Sequence, residues 1–423
     1  PAPPPLLIAA RSLQGMAGGA MFICSTAILS HQFPDGRARG HAFAAWGVVA
    51  GIGLGFGPVV GGAIVSLAGW HWVFLVHAPL ALLGLALIVA GVAESTDPQA
   101  RRQRLDVAGI ATLTIAVLAL TSLITQGSGL GWTSPVALGL MAAAGLSTAA
   151  FVLAERLHPH PMFDFSVFRI RDFSGAILGC IGMNCSYWPF MIYLPLYFSA
   201  GLGYDTGTAG LALLAYTVPF LVMPPIAQWL LLRYQARYVV PAGLLLIGLG
   251  FLLMKAGSEL APLGGWTVLP GALVAGIGLG LTTTPATNMT TASVPPSRAG
   301  MASGMDVSAR LITLAINIAV MGLVLVEGIR FALRGLVGPA MDAERLRSLA
   351  EQLAGGDLAG ARNALPMLPA ADAAGEVLQA AVTHGFGWLM LYGWLAAWLT
   401  AALSFAVFGR RPAGLGSTPS PAA

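Results

Sequence analysis

The 423-residue chain is 57% hydrophobic and only 9% charged, where a soluble domain carries roughly 25% charged residues. That little charge does not cover a water-facing surface, which excludes a soluble enzyme, a disordered chain and a nucleic-acid binder. The formal net charge of +4, from 21 basic residues (Lys255 the single lysine) against 17 acids, is scattered rather than patched, so it bears on membrane orientation.

A membrane-spanning helix needs about 20 mostly apolar residues. Eleven such segments are predicted in chain order: 6–29, 40–66, 71–92, 106–126, 134–154, 173–199, 207–231, 238–256, 264–287, 300–326 and 384–408. The fold class is an all-α polytopic membrane protein. Cytoplasmic loops collect Lys and Arg. With the turn at 31–40 placed inside, alternate loops hold Arg37 and Arg39, Arg101, Arg102 and Arg104, Arg156, Arg169 and Arg171, Arg233 and Arg237, Arg298, and Arg410 with Arg411. Those are 13 of the 21 basic residues, all on one side. Segment 327–384 carries five more arginines on the other side, and a long loop translocates largely regardless of charge. Within it, Glu344 to Leu353 is helical in pattern.

This arrangement puts the N-terminus outside and the C-terminus inside. Transporters of this size usually begin and end in the cytoplasm, so the expectation is that an odd number of helices precedes Pro1. A genuine eleven-helix protein is the alternative.

No catalytic signature competes. A phosphate-binding GxxxxGK[ST] loop is impossible, because Lys255 follows Met254. No His is followed by Glu, and Cys180 and Cys185 are spaced C-x4-C, unlike the usual zinc pairs. With Cys24 the cysteines are odd in number and apolar in context, so they imply packing rather than disulfides. Neither metal nor cofactor is expected, and any active transport must draw on an ion gradient or a partner.

Two motifs stand out. In helix 40–66 two small-residue stripes interleave, Gly47, Gly51 and Gly55 with Gly53, Gly57 and Gly61, beside Pro58 and Gly62. Small residues at i and i+4 permit close helix approach in lipid, and Pro58 should bend the helix. Generic glycine-rich packing is the plainer reading. In the first helix Arg11, Gln14 and Gly18 fall on one face. A charged residue inside a span costs roughly 2.5–3.5 kcal/mol on insertion scales and is functional by default, unless it snorkels to the interface.

The strings R-S-L-Q-G-M-A-G-G (11–19), G-L-G-F-G-P-V-V-G-G (53–62) and W-H-W-V-F-L-V-H-A-P (70–79) resemble the major facilitator superfamily, and within it the fourteen-helix drug/proton antiporter branch. Segments D-V-A-G (106–109), G-L-G-W-T-S-P (129–135), Y-L-P-L-Y-F (193–198) and G-M-A-S-G-M-D-V-S-A-R (300–310) extend the resemblance along the chain. It implies that the eleven helices correspond to family helices four to fourteen, the first three being absent. His71, His77 and Ala44 depart from the pattern. The resemblance further implies gating or proton-coupling roles for Arg11 and Gln14, and an antiporter-motif packing surface of Gly53, Gly57, Pro58, Gly61 and Gly62. It also implies division into 1–92, the remainder of an N-terminal bundle; 93–171, a linker with two extra helices; 172–409, a six-helix C-terminal bundle with the external loop 327–384; and a cytoplasmic tail, 410–423.

Helix 300–326 carries Asp306, Arg310, Thr313 and Asn317 as one polar stripe. Asp306 and Arg310 lie one turn apart and can pair. The stripe reads either as a titrating, proton-coupling pair or as a structural ion pair. Asn184, Trp188 and Met191 share a face of helix 173–199, and Tyr216 and Phe220 follow in the next. With Asn317 they are candidates to line a substrate cavity, because aromatic and Met side chains suit varied apolar molecules; ordinary helix packing is the alternative. The Thr282–Thr284, Thr287 and Asn288 cluster around Pro285 reads in the same two ways.

The expected function is secondary active export of amphipathic drugs or other small molecules in exchange for protons, by alternating access, in the bacterial cytoplasmic (inner) membrane. The expected partners are the substrate, protons, the bilayer and an envelope efflux partner, with no nucleic acid. Export of one endogenous metabolite, or a non-transporting relic or sensor, are the rivals.

Overall fold

The computed structural model describes residues 4–33, 36–92, 106–158, 163–260, 265–295, 298–337, 342–363 and 371–409, and among these there is no strand. The chain runs α1 (Pro4–Gln32), α2 (Gly36–Ala68), α3 (Trp70–Leu75), α4 (His77–Gly91), α5 (Val107–Leu130), α6 (Pro135–Leu157), α7 (Arg171–Cys185), α8 (Tyr187–Leu196), α9 (Thr206–Arg233), α10 (Ala236–Leu260), α11 (Leu269–Ala292), α12 (Ala299–Val337), α13 (Ala343–Ala354), α14 (Leu358–Asn363) and α15 (Ala371–Val407). Ten helical segments among the described residues are long and apolar enough to cross a membrane. The remaining expected span, 40–66, lies inside α2, a single helix of 33 residues. The protein is an all-α, multi-pass membrane protein. Leu, Ile and Val side chains along α1 and α4 lie exposed, an apolar surface whose natural solvent is lipid.

Several expected spans are not continuous. Segment 71–92 is divided at Val76 into α3 and α4, three residues before Pro79. Pro79 cannot donate to the carbonyl of Leu75. Segment 173–199 breaks at Ser186, whose φ of −126° and ψ of −76° leave the helical region. Pro189 removes the hydrogen bond to Cys185, and Pro195 precedes a π-helical turn at Tyr197–Gly201. The span expected at 264–287 is shifted: a 3₁₀ turn occupies Gly265–Thr267, and α11 runs on to Ala292.

The largest difference concerns 327–384, expected as an external loop. Helix α12 continues to Val337 and α15 begins at Ala371. Between them Asp342 caps α13 by accepting from the Arg345 N–H at 2.7 Å. Leu346, Leu349, Ala350 and Leu353 repeat at i, i+3, i+4 and i+7 and are buried. They join Ile329 and Leu333 of α12 and Leu378 and Val382 of α15 in the main apolar core.

That core belongs to the C-terminal helices. Helix α10 packs on α11 and α15, α11 on α9 and α7, and α12 on α15 and α7. Gly243 and Gly250 of α10 meet Gly271, Ala275 and Gly278 of α11 so closely that a Cβ at Gly250 would lie 2.7 Å from the Gly271 carbonyl. Where lipid provides no hydrophobic drive to associate, such close backbone approach is what holds helices together. The N-terminal helices lean on this group at two seams, α1 on α12 and α2 on α9. Helices α5 and α6 pair with each other, and α5 also touches α12.

Candidate substrate cavity and its closed end

Between the two helix groups lies a cavity of about 380 Å³, within the usual range for small-molecule sites. Its walls are Gly15, Gly18, Gly19 and Phe22 of α1 and Trp46 and Ala50 of α2. Facing them are Asn184, Trp188, Phe220, Thr283, Val307, Arg310, Leu311 and Leu314 of the C-terminal helices. The α1 glycines create the space: a Cβ at Gly15 or Gly18 would meet nothing within 4 Å, and one at Gly19 only Leu311 at 3.9 Å. Aromatic rings frame both sides, Phe22 against Trp46 at 5.1 Å and Trp188 against Phe220 at 6.3 Å, each edge to face. The break at Ser186 sits between Asn184 and Trp188, where irregular backbone in a membrane is tolerated because it borders a cavity and not lipid.

One charged group enters the wall. Arg310 donates from Nε to Asp306 at 2.9 Å and from Nη2 to the Thr287 hydroxyl at 2.8 Å and the Cys180 sulfur at 2.9 Å. Asp306 and Arg310 are both buried. An ion pair at that depth persists only because its members satisfy one another and further partners.

On the arginine-rich side the cavity is closed. Arg39, near the start of α2, is buried, with its guanidinium 4.8 Å over the Phe43 ring. It donates to Ser30 Oγ at 3.0 Å and to the Phe33 carbonyl at 3.2 Å at the end of α1. Across the seam it donates to Asn288 Oδ1 at 2.6 Å, the Asn288 carbonyl at 3.3 Å and Thr291 Oγ1 at 2.6 Å near the end of α11. A single cation thus serves the carboxy-terminal ends of two helices, where unpaired carbonyls and the helix dipole favour positive charge. Asn288 continues to Gln228 of α9 at 3.3 Å. Beside this cluster the hydroxyls of Thr26 and Ser303 join α1 to α12. Arg39 entered the sequence reading only as a marker of orientation. Its acceptor Asn288 lies 249 residues further along the chain, so no local pattern signals the contact.

The predicted residues divide clearly. Asn184, Trp188 and Phe220 line the cavity, and Arg310 reaches it with Asp306 behind. Tyr216 does not: it is fully buried, stacked 3.9 Å from Tyr187, and donates to the Tyr187 carbonyl at 3.0 Å. Met191 packs half-buried against the apolar core. Asn317 also lies outside the cavity, accepting from the Tyr392 hydroxyl and donating to the Thr313 carbonyl at 2.8 Å. Arg11 and Gln14 pair at 2.8 Å on the exposed surface of α1, with Arg11 5.5 Å from the Phe74 ring. The antiporter-motif glycines are not a packed surface here. At Gly53, Gly57, Gly61 and Gly62 an added Cβ would meet nothing within 4 Å, while the Pro58 side chain lies outside the described residues. The close approach falls earlier in α2. A Cβ at Gly47 would lie 2.8 Å from Pro224 Cβ, and one at Gly51 2.9 Å from Leu221 Cα. Helix α2 meets α9 at Gly40, Gly47 and Gly51, whereas at Gly62, on the same face three turns further on, an added Cβ would meet nothing within 4 Å.

Fold and cavity together define a polytopic helical membrane protein with a cavity between two groups of helices. The chain belongs to the major facilitator superfamily. The profile of the Major Facilitator Superfamily matches residues 1–184. The chain is 32% identical over 320 residues to the multidrug resistance protein Stp of Mycobacterium tuberculosis, an overlap covering 76% of this chain and 59% of that protein. It is 32% identical to the methylenomycin A resistance protein of Streptomyces coelicolor, covering 75% of this chain and 66% of that protein. It is 28% identical to the quinolone resistance protein NorB of Staphylococcus aureus, over 76% and 69%.

Proposed function

We propose that the protein exports amphipathic small molecules across the bacterial cytoplasmic membrane in exchange for protons, by alternating access. Residues 1–92 form part of one moving bundle, 172–409 the other, and the two extra helices of 93–171 lie between. The arginine-rich face is the cytoplasmic one. The observation that carries the reading is the aromatic, glycine-walled chamber between the two helix groups, with the Asp306–Arg310 pair in its wall. Three relatives, each named as a resistance protein, support the choice of cargo class.

In this state the Arg39 cluster shuts the chamber on the cytoplasmic side, while the far half of α2 stands away from α9. The motif glycines Gly53, Gly57, Gly61 and Gly62 supply the small surface on which the opposite, outward end closes in the alternate state. One proton crossing about 150 mV releases roughly 3.5 kcal/mol, enough for a gradient of a few hundredfold. Asp306 is the proton-binding candidate, because it is the acidic group in contact with the guanidinium lining the chamber.

Inverted vesicles containing the protein test this directly. A fluorescent amphipathic cation should accumulate when a proton gradient is imposed, and a protonophore should abolish the accumulation. Trp188→Ala and Phe220→Ala should each lower uptake about tenfold, as lost aromatic contacts do. Uptake indifferent to the gradient would overturn proton exchange; uptake indifferent to both substitutions would overturn the chamber.

A further inference from the structure

The ion pair in the chamber wall and the cytoplasmic closure grip the same turn of α11. Arg310 donates to the Thr287 hydroxyl at 2.8 Å. Thr291 donates to the Thr287 carbonyl at 3.3 Å and to the Asn288 carbonyl at 3.2 Å, and accepts from Arg39 at 2.6 Å. Asn288 is Arg39's other acceptor across the seam. Thr287, Asn288, Thr291, Asp306, Arg310 and Arg39 are all buried, so water does not substitute for a lost partner and each broken contact is felt. Thr287 and Thr291 are one turn apart, about 6 Å of axial rise. A line of hydrogen bonds thus runs from α12 through one turn of α11 to α2, joining chamber to closure.

We propose that Thr287 is a positioning residue that couples the two. By holding Arg310 it fixes the height and rotation of the turn that presents Asn288 and Thr291 to Arg39. Arg310 keeps its charge under all conditions. Whatever neutralises or displaces Asp306 therefore forces the guanidinium to redistribute its bonds onto Thr287 and Cys180, and the acceptors of Arg39 move with that turn. An event in the chamber in this way releases the cytoplasmic closure. The inference rests on the alternating-access reading and deepens it.

The closure has a built-in reporter, because Thr26 and Ser303 touch across it. In membranes, Thr26→Cys with Ser303→Cys, in a Cys24→Ser background, should form a disulfide under mild oxidant while the closure holds. The initial rate is read by alkylation and mass spectrometry. Arg39→Ala should slow it about tenfold, equivalent to about 1.4 kcal/mol. Thr287→Val, which removes the hydroxyl at constant shape, should slow it by a similar factor, and Thr287→Ser should restore the parent rate. Combined, Thr287→Val and Arg39→Ala should be no slower than Arg39→Ala alone, the mark of a shared network. A Thr287→Val rate within twofold of the parent, or effects that simply multiply, would overturn the coupling. Should Thr287→Val not reach the membrane, Thr291→Val paired with Arg310→Lys runs the same cycle under the same criterion. The reporter needs no substrate, so failure of the export reading shows in the vesicle assay and failure of the coupling shows here.

Discussion

The glycines of α2 and those of α10 and α11 share one spacing logic and end in opposite surroundings. In α10, Gly243 and Gly250 lie two turns apart and press on Gly271, Ala275 and Gly278 of α11, backbone against backbone. In α2, Gly53, Gly57 and Gly61 repeat every four residues and face open space. A small-residue stripe therefore encodes permission for close approach, and a complementary stripe on a neighbour decides whether the approach occurs in a given state. On the proposed reading the α10–α11 seam lies inside one moving bundle and is needed in every state. Helix α2 belongs to the other bundle and meets α9 across the seam between them, where a contact that can open is worth more than one that is permanently tight.

The sharpest way to break this contrast is a large side chain at each site. Gly250→Leu drives a branched side chain into the α11 backbone, a clash without a flexible neighbour to yield, so the cost should exceed the 1–3 kcal/mol usual for overpacking. The expected outcome is loss of folded protein from the membrane, measured by size-exclusion chromatography in detergent. Gly57→Leu should leave the amount and thermal stability of the protein unchanged, and should impair export only by blocking closure of the outward end. If both variants fold equally well, the distinction between permanent and state-dependent seams is lost.

A second substitution divides α2 itself. Gly51→Leu meets the Leu221 backbone, where a Cβ would already stand 2.9 Å from Cα, and should part α2 from α9 at an expected cost of about 1–3 kcal/mol. The C-terminal bundle should survive this, because its core involves neither residue. The measurement is differential protease protection: sites near the 31–40 turn should become cleavable while α10 and α11 remain protected.

Much of this was legible in the sequence, for reasons that also mark the limits. Span positions follow from apolar run length. The breaks at Val76 and Ser186 do not, since hydropathy is blind to a missing N–H; their signal was Pro79 and Pro189, each three residues beyond the break. The compact helices within 327–384 were foreshadowed by the Leu346, Leu349 and Leu353 periodicity, but the docking of that face on α12 and α15 was not. Asn184, Trp188 and Phe220 could be placed in the chamber because their helical faces carry polar and aromatic groups where lipid tolerates few. The same rule misplaced Tyr216, whose hydroxyl and ring are both satisfied by Tyr187 inside the bundle. Arg39 escaped because a loop arginine has a sufficient explanation in orientation alone.

The next test sharpens the contrast within the charged groups, between the buried pair of α12 and the exposed pair of α1. Asp306→Asn keeps an acceptor for Arg310 and removes the charge. Stability should fall by less than the 3–5 kcal/mol that truncating a buried pair costs, because the amide oxygen still fills the contact. The pH profile of transport should flatten if Asp306 carries the proton. A variant with the parental pH profile would reduce the pair to a structural tie.

Arg11 should show the smallest effect on stability. Its guanidinium is exposed, paired with Gln14 at 2.8 Å and set 5.5 Å from the Phe74 ring. An exposed cation–π contact contributes about 0.5–1 kcal/mol, so Arg11→Ala should barely shift the melting temperature in detergent. Its register gives a reason to expect a separate effect on export. Gly15, Gly18 and Phe22 follow Arg11 at i+4, i+7 and i+11, and all three line the chamber. Arg11 thus stands one turn above that wall on the same face, at the end remote from the Arg39 cluster; in the proposed export cycle a cargo leaving outward would pass it. The expected result is a stable, membrane-inserted variant whose dye export falls to the protonophore baseline. Export at the parental rate would remove Arg11 from the transport path and leave its pairing with Gln14 as a means of keeping one charge tolerable inside a span.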